Sequence, residues 1–426
     1  MKVLNVLVFP GGTEIGLEIR SALCQCKEVR LFSAGAAVSN HAPYVYARHF
    51  SVPDVADPHW VDRLNEIIIS NHIDYIFPAH DEVLVALAEN VDRVRAKMVS
   101  SSPETCLISR SKKDTYRILG EVLPVPEVYE HADQAKRYPV FLKPDRGQGS
   151  QGTSLIRDGE ELEMALRRDR DRLILEYLPG KEYTIDCFSS RQGGLLFCGA
   201  RERVRTRSGI SMAGRPAQDG LFLDYARAIA RRLRFHGAWF FQTKQDRNGA
   251  HKLLEFAPRI AGTMAFHRVQ GVNFPLLSLC EQEGIPIEIR PNLLHIEMDR
   301  ALVNRYRHSV SFSSVYVDLD DTLILNGKVN VDLIRFLYQC INEGKRLVLL
   351  TRHAARVQET LNAYRVEHLF DEVIHLDSTE PKAAHIRERD AIFIDDSFSE
   401  RKKVSEEIGI LTFDCSMIEM LLNERV

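Results

Sequence analysis

The stretch WFFQTKQDRNGAHKLLEFAPRIAGT, residues 239–263, decides how the larger part of this chain folds. Alternating apolar and polar residues flank Asp246-Arg247-Asn248-Gly249, so the stretch reads as two strands joined by a turn. Side chains alternate along a strand with a period of two, and pairing across the hairpin can bring Gln242 and Glu255 to one face. An amide oxygen beside a carboxylate suits magnesium bridging the oxygens of a triphosphate.

Working upstream, FLKPDRGQGSQGTSLI (141–156) reads as a buried strand that delivers Lys143, followed by a loop with Gly147, Gly149 and Gly152. Glycines let backbone N–H groups approach an anion, and the lysine adds a fixed positive charge. Lys113 stands near the start of the helix KKDTYRILGEV, where it can meet a phosphate. LILEYLPGKEYTIDCF places Glu176 at a strand end, then a bend at Pro179-Gly180, then Glu182 opening another strand. A carboxylate there can accept from ribose hydroxyls, and the Glu176–Leu178 backbone can read an adenine edge. Between these elements GARERVRTRSGISMAGR carries Arg201, Arg203, Arg205, Arg207 and Arg215. Strand alternation would set Arg201, Arg203 and Arg205 on one face, as a site for a phosphate or acidic substrate or as a solvated basic edge.

In this order the motifs of residues 1–303 resemble the ATP-grasp superfamily, closest to its carbamoyl-phosphate-synthetase-like and amino-acid-ligase members. The family's lysine-bearing helix, strand lysine with glycine-rich lid, glutamate hinge and final E-x-N-P-R-x-x-G each have a counterpart here. The resemblance implies Lys113 and Lys143 on phosphates, Glu176 and Leu178 on adenine, Glu182 on ribose, and Gln242 with Glu255 on magnesium. Arg259 would contact the substrate carboxylate or its acyl phosphate. The chain departs from the pattern at Ala257, where the family has a metal-ligating asparagine. Either another side chain or water substitutes, a second metal is held weakly, or the clamp binds nucleotide without turnover.

A second chemistry begins at VYVDLDDTLIL, residues 315–325. Asp318, Asp320 and Asp321 would repel one another on an ordinary strand, and a cation offsets that repulsion. Three later elements supply partners: RLVLLTRH ends a buried strand in Thr351, EPKAAH brings Lys382, and AIFIDDSFSER ends another strand in Asp395-Asp396. Parallel strands gather such residues at their carboxyl edge, where ligands bind. The ordered set resembles haloacid-dehalogenase-type phosphatases, with D-x-D-x-T complete at 318–322. That resemblance implies Asp318 as nucleophile, Asp320 as general acid and base, and Thr351 and Lys382 on phosphate. Magnesium would be held by Asp318, Asp320 and Asp395, with Asp396 as an alternate ligand. The connections are too short for an inserted cap domain.

The expected fold class is therefore α/β: an open pre-ATP-grasp α/β domain (1–105), an ATP-grasp α+β clamp (106–303), a polar linker, and a capless Rossmann-like domain (313–426). A net charge of −3 gives no case for nucleic acid or an anionic membrane. Eight scattered cysteines without a C-x-x-C pair point to a reducing, cytoplasmic setting. The apolar start MKVLNVLVFPGG is too brief for a signal peptide and reads as a buried first strand. The expectation is a bifunctional enzyme: an ATP- and magnesium-dependent carboxylate–amine ligase joined to a phosphatase. Its partners would be a small carboxylate, an amine, a phosphorylated metabolite and, for the N-terminal domain, a second copy. The alternatives are a phosphatase regulated by an ATP-sensing clamp and a small-molecule kinase–phosphatase pair.

Overall fold

The computed structural model describes every residue except Met1, Gln148, Ser150, Leu293 and Val426. The chain divides into two compact units, residues 1–303 and 304–425. The expected linker at 304–314 belongs to the second unit, where Val310 and Phe312 pack against its core.

The first unit opens with a parallel sheet of β1 (Leu4–Phe9), β2 (Val29–Gly35), β3 (His49–Ser51), β4 (Tyr75–Pro78) and β5 (Lys97–Met98), in the order β3-β2-β1-β4-β5. Both faces of such a sheet are covered, so β1 is almost wholly apolar. Leu4, Val6 and Val8 enter one core with Ile15 and Ile19, while Leu7 and Phe9 enter another with Leu64, Ile67 and Ile68. The helix Glu14–Leu23 follows β1, capped by Thr13, whose hydroxyl accepts from the Gly16 N–H at 3.0 Å. Gly16 lies hard against the turn, since a Cβ there would stand 2.6 Å from the Gly11 carbonyl oxygen and 2.7 Å from that of Pro10. The expected boundary at 105/106 falls inside the helix Pro103–Arg110.

A four-stranded antiparallel sheet comes next: β6 (Val128–Tyr129), β7 (Val140–Pro144), β8 (Ser154–Ile156) and β9 (Arg172–Glu176), in the order β6-β9-β7-β8. It is followed by β10 (Glu182–Ser189), β11 (Leu195–Arg207), β12 (Ile210–Ala217), β13 (Gly237–Gln245), β14 (His251–Ala257) and β15 (Met298–Asp299). These six form one antiparallel sheet, ordered β14-β13-β10-β11-β12-β15. Alternation, with one irregularity between Gln242 and Thr243, divides it: Ile185, Cys187, Trp239, Phe241, Leu253 and Phe256 share a buried core. Glu182, Thr184 and Asp186, the intervening residues of β10, face the other way.

The second unit is a parallel sheet of β16 (Ser314–Val317), β19 (Arg346–Thr351), β20 (Glu372–His375), β21 (Ala391–Ile394) and β22 (Leu411–Phe413). Its order is β20-β19-β16-β21-β22, and a small hairpin of β17 (Ile324–Leu325) and β18 (Lys328–Val329) follows β16. Val315 and Val317 face one core, Tyr316 the other, which gives the apolar run its two-sided burial. After the hairpin, only the helix Val331–Asn342 separates β16 from β19. No helix among the described residues is long and apolar enough to cross a membrane.

Gly16→Ala forces a methyl group into backbone and should cost about 1–3 kcal/mol. Both tryptophans, Trp60 and Trp239, lie in the first unit. A lower urea midpoint by tryptophan fluorescence is the expected result.

Candidate functional site

In the first unit the six-stranded sheet arranges its polar face in cross-strand rows. Thr184 is opposite Arg201 on one side and Gln242 on the other, and Gln242 is opposite Glu255. Arg201, Thr184, Gln242 and Glu255 therefore form one row across four strands, and the hairpin brings Gln242 and Glu255 together as the alternation implied. The next row on one side sets Arg203 beside Glu182, with a bond of 2.8 Å, and Glu182 beside Lys244. On the other side lie Asp186, Phe240 and Ala257.

Two adjoining cavities sit over these rows. One, of about 290 Å³, is lined by Lys112, Lys143, Gly147, Gly149, Glu176, Leu178, Glu182, Gln242 and Glu255 among others. The second, of about 670 Å³, shares Lys112, Gly147, Gly149, Gln242 and Glu255 and adds Thr184, Arg201, Arg259 and Arg300. Most of the expected nucleotide residues thus surround one space. Three do not behave as expected. Lys113 is exposed and offers its backbone N–H to Asp145, whereas Lys112 is buried and donates to the carbonyls of Asp145 and Gly147 at 3.1 and 3.2 Å. Ser111 caps this helix, which turns its first residue, rather than its second, into the cleft. Gly152 follows the loop at φ +68° but lines neither cavity. Arg205 is the third: β11 is irregular between Arg203 and Thr206, which breaks the alternation. Its side chain is 56% exposed and pairs with Asp299 at 2.7 Å, off the cavity wall.

The electrostatics are tightly balanced. Burial depresses the ammonium groups of Lys112 and Lys143, and the Glu255 carboxylate pushes back on both. Arg259 lies over the Phe240 ring and grips Asp81 through Nε and Nη2 at 2.6 and 2.9 Å, while Nη1 donates to the Ile260 carbonyl at 3.0 Å. Burial raises the Asp81 carboxyl, but Arg259 outweighs it and holds the group below the usual carboxylate range. Five donors on a guanidinium leave Arg259 one hydrogen on each terminal nitrogen for a ligand. For magnesium, the adjacent oxygens of Gln242 and Glu255 fit a hard cation, and Ala257 in the neighbouring row adds no ligand.

In the second unit, Asp318 and Asp395 follow the ends of β16 and β21, with Lys382 between their carboxylates at 2.7 and 2.6 Å. Burial pushes the Asp318 carboxyl up to about 6, Lys382 pulling it down and Asp395 pushing it further up. Burial also raises Asp395. Thr351 ends β19 with its hydroxyl buried and without a hydrogen-bond partner. Oxygens of Asp318, Asp395 and Asp396 lie within 4.8 Å of one another, a donor set that suits magnesium. Asp320, expected among the ligands, stays 53% exposed and is held by His353 Nδ1 at 2.9 Å, so Asp396 takes its place in the group. His353 in turn reaches Thr360 at 2.8 Å. Asp321 occupies the left-handed region at φ +55°, consistent with a turn-forming role.

Residues 20–101 match the sequence family described as PylC-like, N-terminal domain, and residues 168–299 that described as ATP-grasp in the biosynthetic pathway with Ter operon. Neither match extends beyond residue 299. D-alanine–D-alanine ligase of Clostridium botulinum (strain 657 / Type Ba4) is 37% identical over 96 residues, 19% of this chain and 32% of that protein. The same enzyme of Fusobacterium nucleatum is 27% identical over 107 residues, 25% of this chain and 37% of that one. The chain thus spans only about a third of the curated relatives it matches. In fold, biotin carboxylase from Campylobacter jejuni aligns over 68% of this chain and 72% of its own, with TM-score 0.56 and 16% identity. The L-amino acid ligase from Bacillus licheniformis aligns over 68% and 78%, with TM-score 0.54 and 18% identity. The first unit has a pre-ATP-grasp domain followed by an ATP-grasp domain, with the family matches lying at 20–101 and 168–299. That fold uses ATP and magnesium.

Asp81→Asn keeps the shape of its site but removes the charge facing Arg259. A carboxyl held low in the folded state stabilises above its unfolded value, near 4, and loses that contribution as the pH falls through its folded value. The variant should be less stable by about 2 kcal/mol at pH 7. That difference should shrink below about pH 4. Urea titrations at both pH values, followed by tryptophan fluorescence, measure it.

Proposed function

We propose that residues 1–303 form an ATP- and magnesium-dependent carboxylate–amine ligase, and that residues 313–425 form a haloacid-dehalogenase-type phosphatase acting on a small metabolite. The observation that carries the ligase reading is the row Arg201–Thr184–Gln242–Glu255, which lines the larger cavity throughout and whose Gln242–Glu255 end also lines the nucleotide-sized one. In this reading Lys112, Lys143 and the backbone at Gly147 and Gly149 hold the phosphates. Glu176 to Leu178 read the adenine. Glu182 keeps lone pairs for ribose hydroxyls beside its bonds to Arg203 and Lys244. A carboxylate oxygen attacks the γ-phosphorus and ADP leaves; an amine then attacks the acyl carbon, and phosphate leaves. Arg259 and the two lysines offset charge on the moving phosphoryl group.

In the phosphatase, the Asp318 carboxylate attacks phosphorus as the ester oxygen departs with a proton from Asp320. Asp320 then takes a proton from the water that cleaves the aspartyl phosphate. His353 fixes the orientation of Asp320, while Lys382 and the free Thr351 hydroxyl meet phosphate oxygens. Gln242 with Glu255, and Asp318 with Asp395 and Asp396, would hold magnesium, which supplies neutralisation of phosphoryl charge. A second reading is favoured by Ala257: a clamp without its third ligand that binds ATP and regulates the phosphatase.

The test is incubation with ATP, magnesium, and pools of amino acids and small carboxylates, following ADP and new amide mass. Nucleotide binding without ADP release in every pool would sink the ligase reading in favour of the sensing clamp. Glu255→Gln should cut ADP formation by about 100-fold or more while phosphomonoester hydrolysis persists. Asp318→Asn should do the converse, and loss of both activities in either variant would contradict separate sites. Lys112→Ala should weaken binding of a fluorescent ATP analogue by about tenfold, and Lys113→Ala by far less.

A further inference from the structure

Five arginines line the larger cavity; Arg110 pairs with Glu82, and the other four differ in how far their donors are used. Arg259 spends three of its five donors on Asp81 and Ile260, and Arg203 lies at ion-pair distance from Glu182 and donates to the Gly209 carbonyl. Arg201 is different. Its Nε and Nη2 edge rests on Asp186 at 2.8 and 3.4 Å, and His267 approaches the same carboxylate at 3.4 Å. Asp186 is fully buried and Arg201 only 1% exposed, so the guanidinium is held in one orientation. Its remaining nitrogen, Nη1, is buried on the cavity side of the sheet with no partner.

Beside it, the Thr184 hydroxyl is also buried and unpartnered, and the residue lines the same cavity. Arg300 contributes a further cation to this wall and forms no ion pair among the described residues. Glu14 and Glu18 lie within electrostatic reach of it, but Glu18 is already bound by Arg268 at 2.7 Å. Leaving two buried polar groups unsatisfied is unfavourable, and an anion that meets both removes that cost.

Their position says which anion. Neighbouring strands lie about 4.8 Å apart, so Thr184 stands about 5 Å and Arg201 about 10 Å along the row from Gln242. The Arg201 guanidinium is anchored on Asp186, in the next row, so a carboxylate reacting beside Gln242 and Glu255 leaves its free end to another group. We infer that the acid used by this site carries a second anionic group, carboxylate or phosphate, seated on Arg201, Thr184 and Arg300. This rests on the ligase reading above.

Calorimetric titration of the whole chain, with magnesium and a non-hydrolysable ATP analogue, tests it. Succinate and glutarate are compared with butyrate and valerate, and phosphoglycolate with glycolate, so that the arms separate carboxylate from phosphate. At least one dianionic acid should bind about tenfold or more tighter than its monoanionic counterpart. Arg201→Met would leave Asp186 buried without its counter-charge and so compromise folding. Thr184→Val and Arg300→Gln avoid that, and each should erase most of the dianion preference in protein whose tryptophan fluorescence is unaltered. Equal affinity for mono- and dianions, no binding of any dianion, or an undiminished preference in both variants overturns the inference. Tight dianion binding without ADP release from ATP would instead keep the anion subsite and overturn the ligase reading.

Discussion

The first unit is governed by the two-residue period of its six-stranded antiparallel sheet. One face must be apolar, and it is: Ile185, Cys187, Trp239, Phe241 and Phe256 are all essentially buried there. The residues between them are then obliged to stand together on the opposite face, in registered rows. That placement forces charged groups into partly dry surroundings, where each must be paired or left to a ligand. The buried Asp186–Arg201 pair is the extreme case, since a charged pair at this depth is sustained only when its bonds are well formed.

The second unit solves a similar problem with one lysine. Two buried carboxylates share Lys382, leaving the cluster of Asp318, Asp395 and Asp396 with an excess of negative charge. Burial is the main reason that the Asp318 carboxyl is raised despite a salt bridge of 2.7 Å, and the neighbouring Asp395 charge adds to it. A parallel sheet is suited to such a cluster, because its strands all end at the same edge and each can carry one polar residue there.

Much of this was legible before any coordinates. The 239–263 hairpin was readable because alternation and a turn tetrapeptide act locally, and the D-x-D-x-T strand because three close aspartates need an external cation. What was hidden depended on single-residue shifts. An irregularity in β11 displaces Arg205, and a serine cap one residue early exchanges Lys113 for Lys112. Asp320 was misplaced among the metal ligands because its partner, His353, comes from a different strand end. Thr184 and Asp186 went unremarked, as polar alternation in EYTIDCFSS reads simply as a half-buried strand. Only the register, set by pairing with β11 and β13, reveals that Thr184 completes the row and that Asp186 stands in the next one.

The pairing of Arg259 with Asp81 also bears on how the chain is made. It joins residues 178 apart, Arg268 reaches Glu18 across 250, and Ser100 donates to the Pro258 carbonyl across 158. Each bond closes a very long loop, and such contacts form only after the entropy of closure has been met. At about 5–20 residues per second, a ribosome takes roughly 8–50 s to deliver these partners after the groups that wait for them. Until then, Asp81 and Glu18 wait as unpaired carboxylates on a surface that the clamp will later cover.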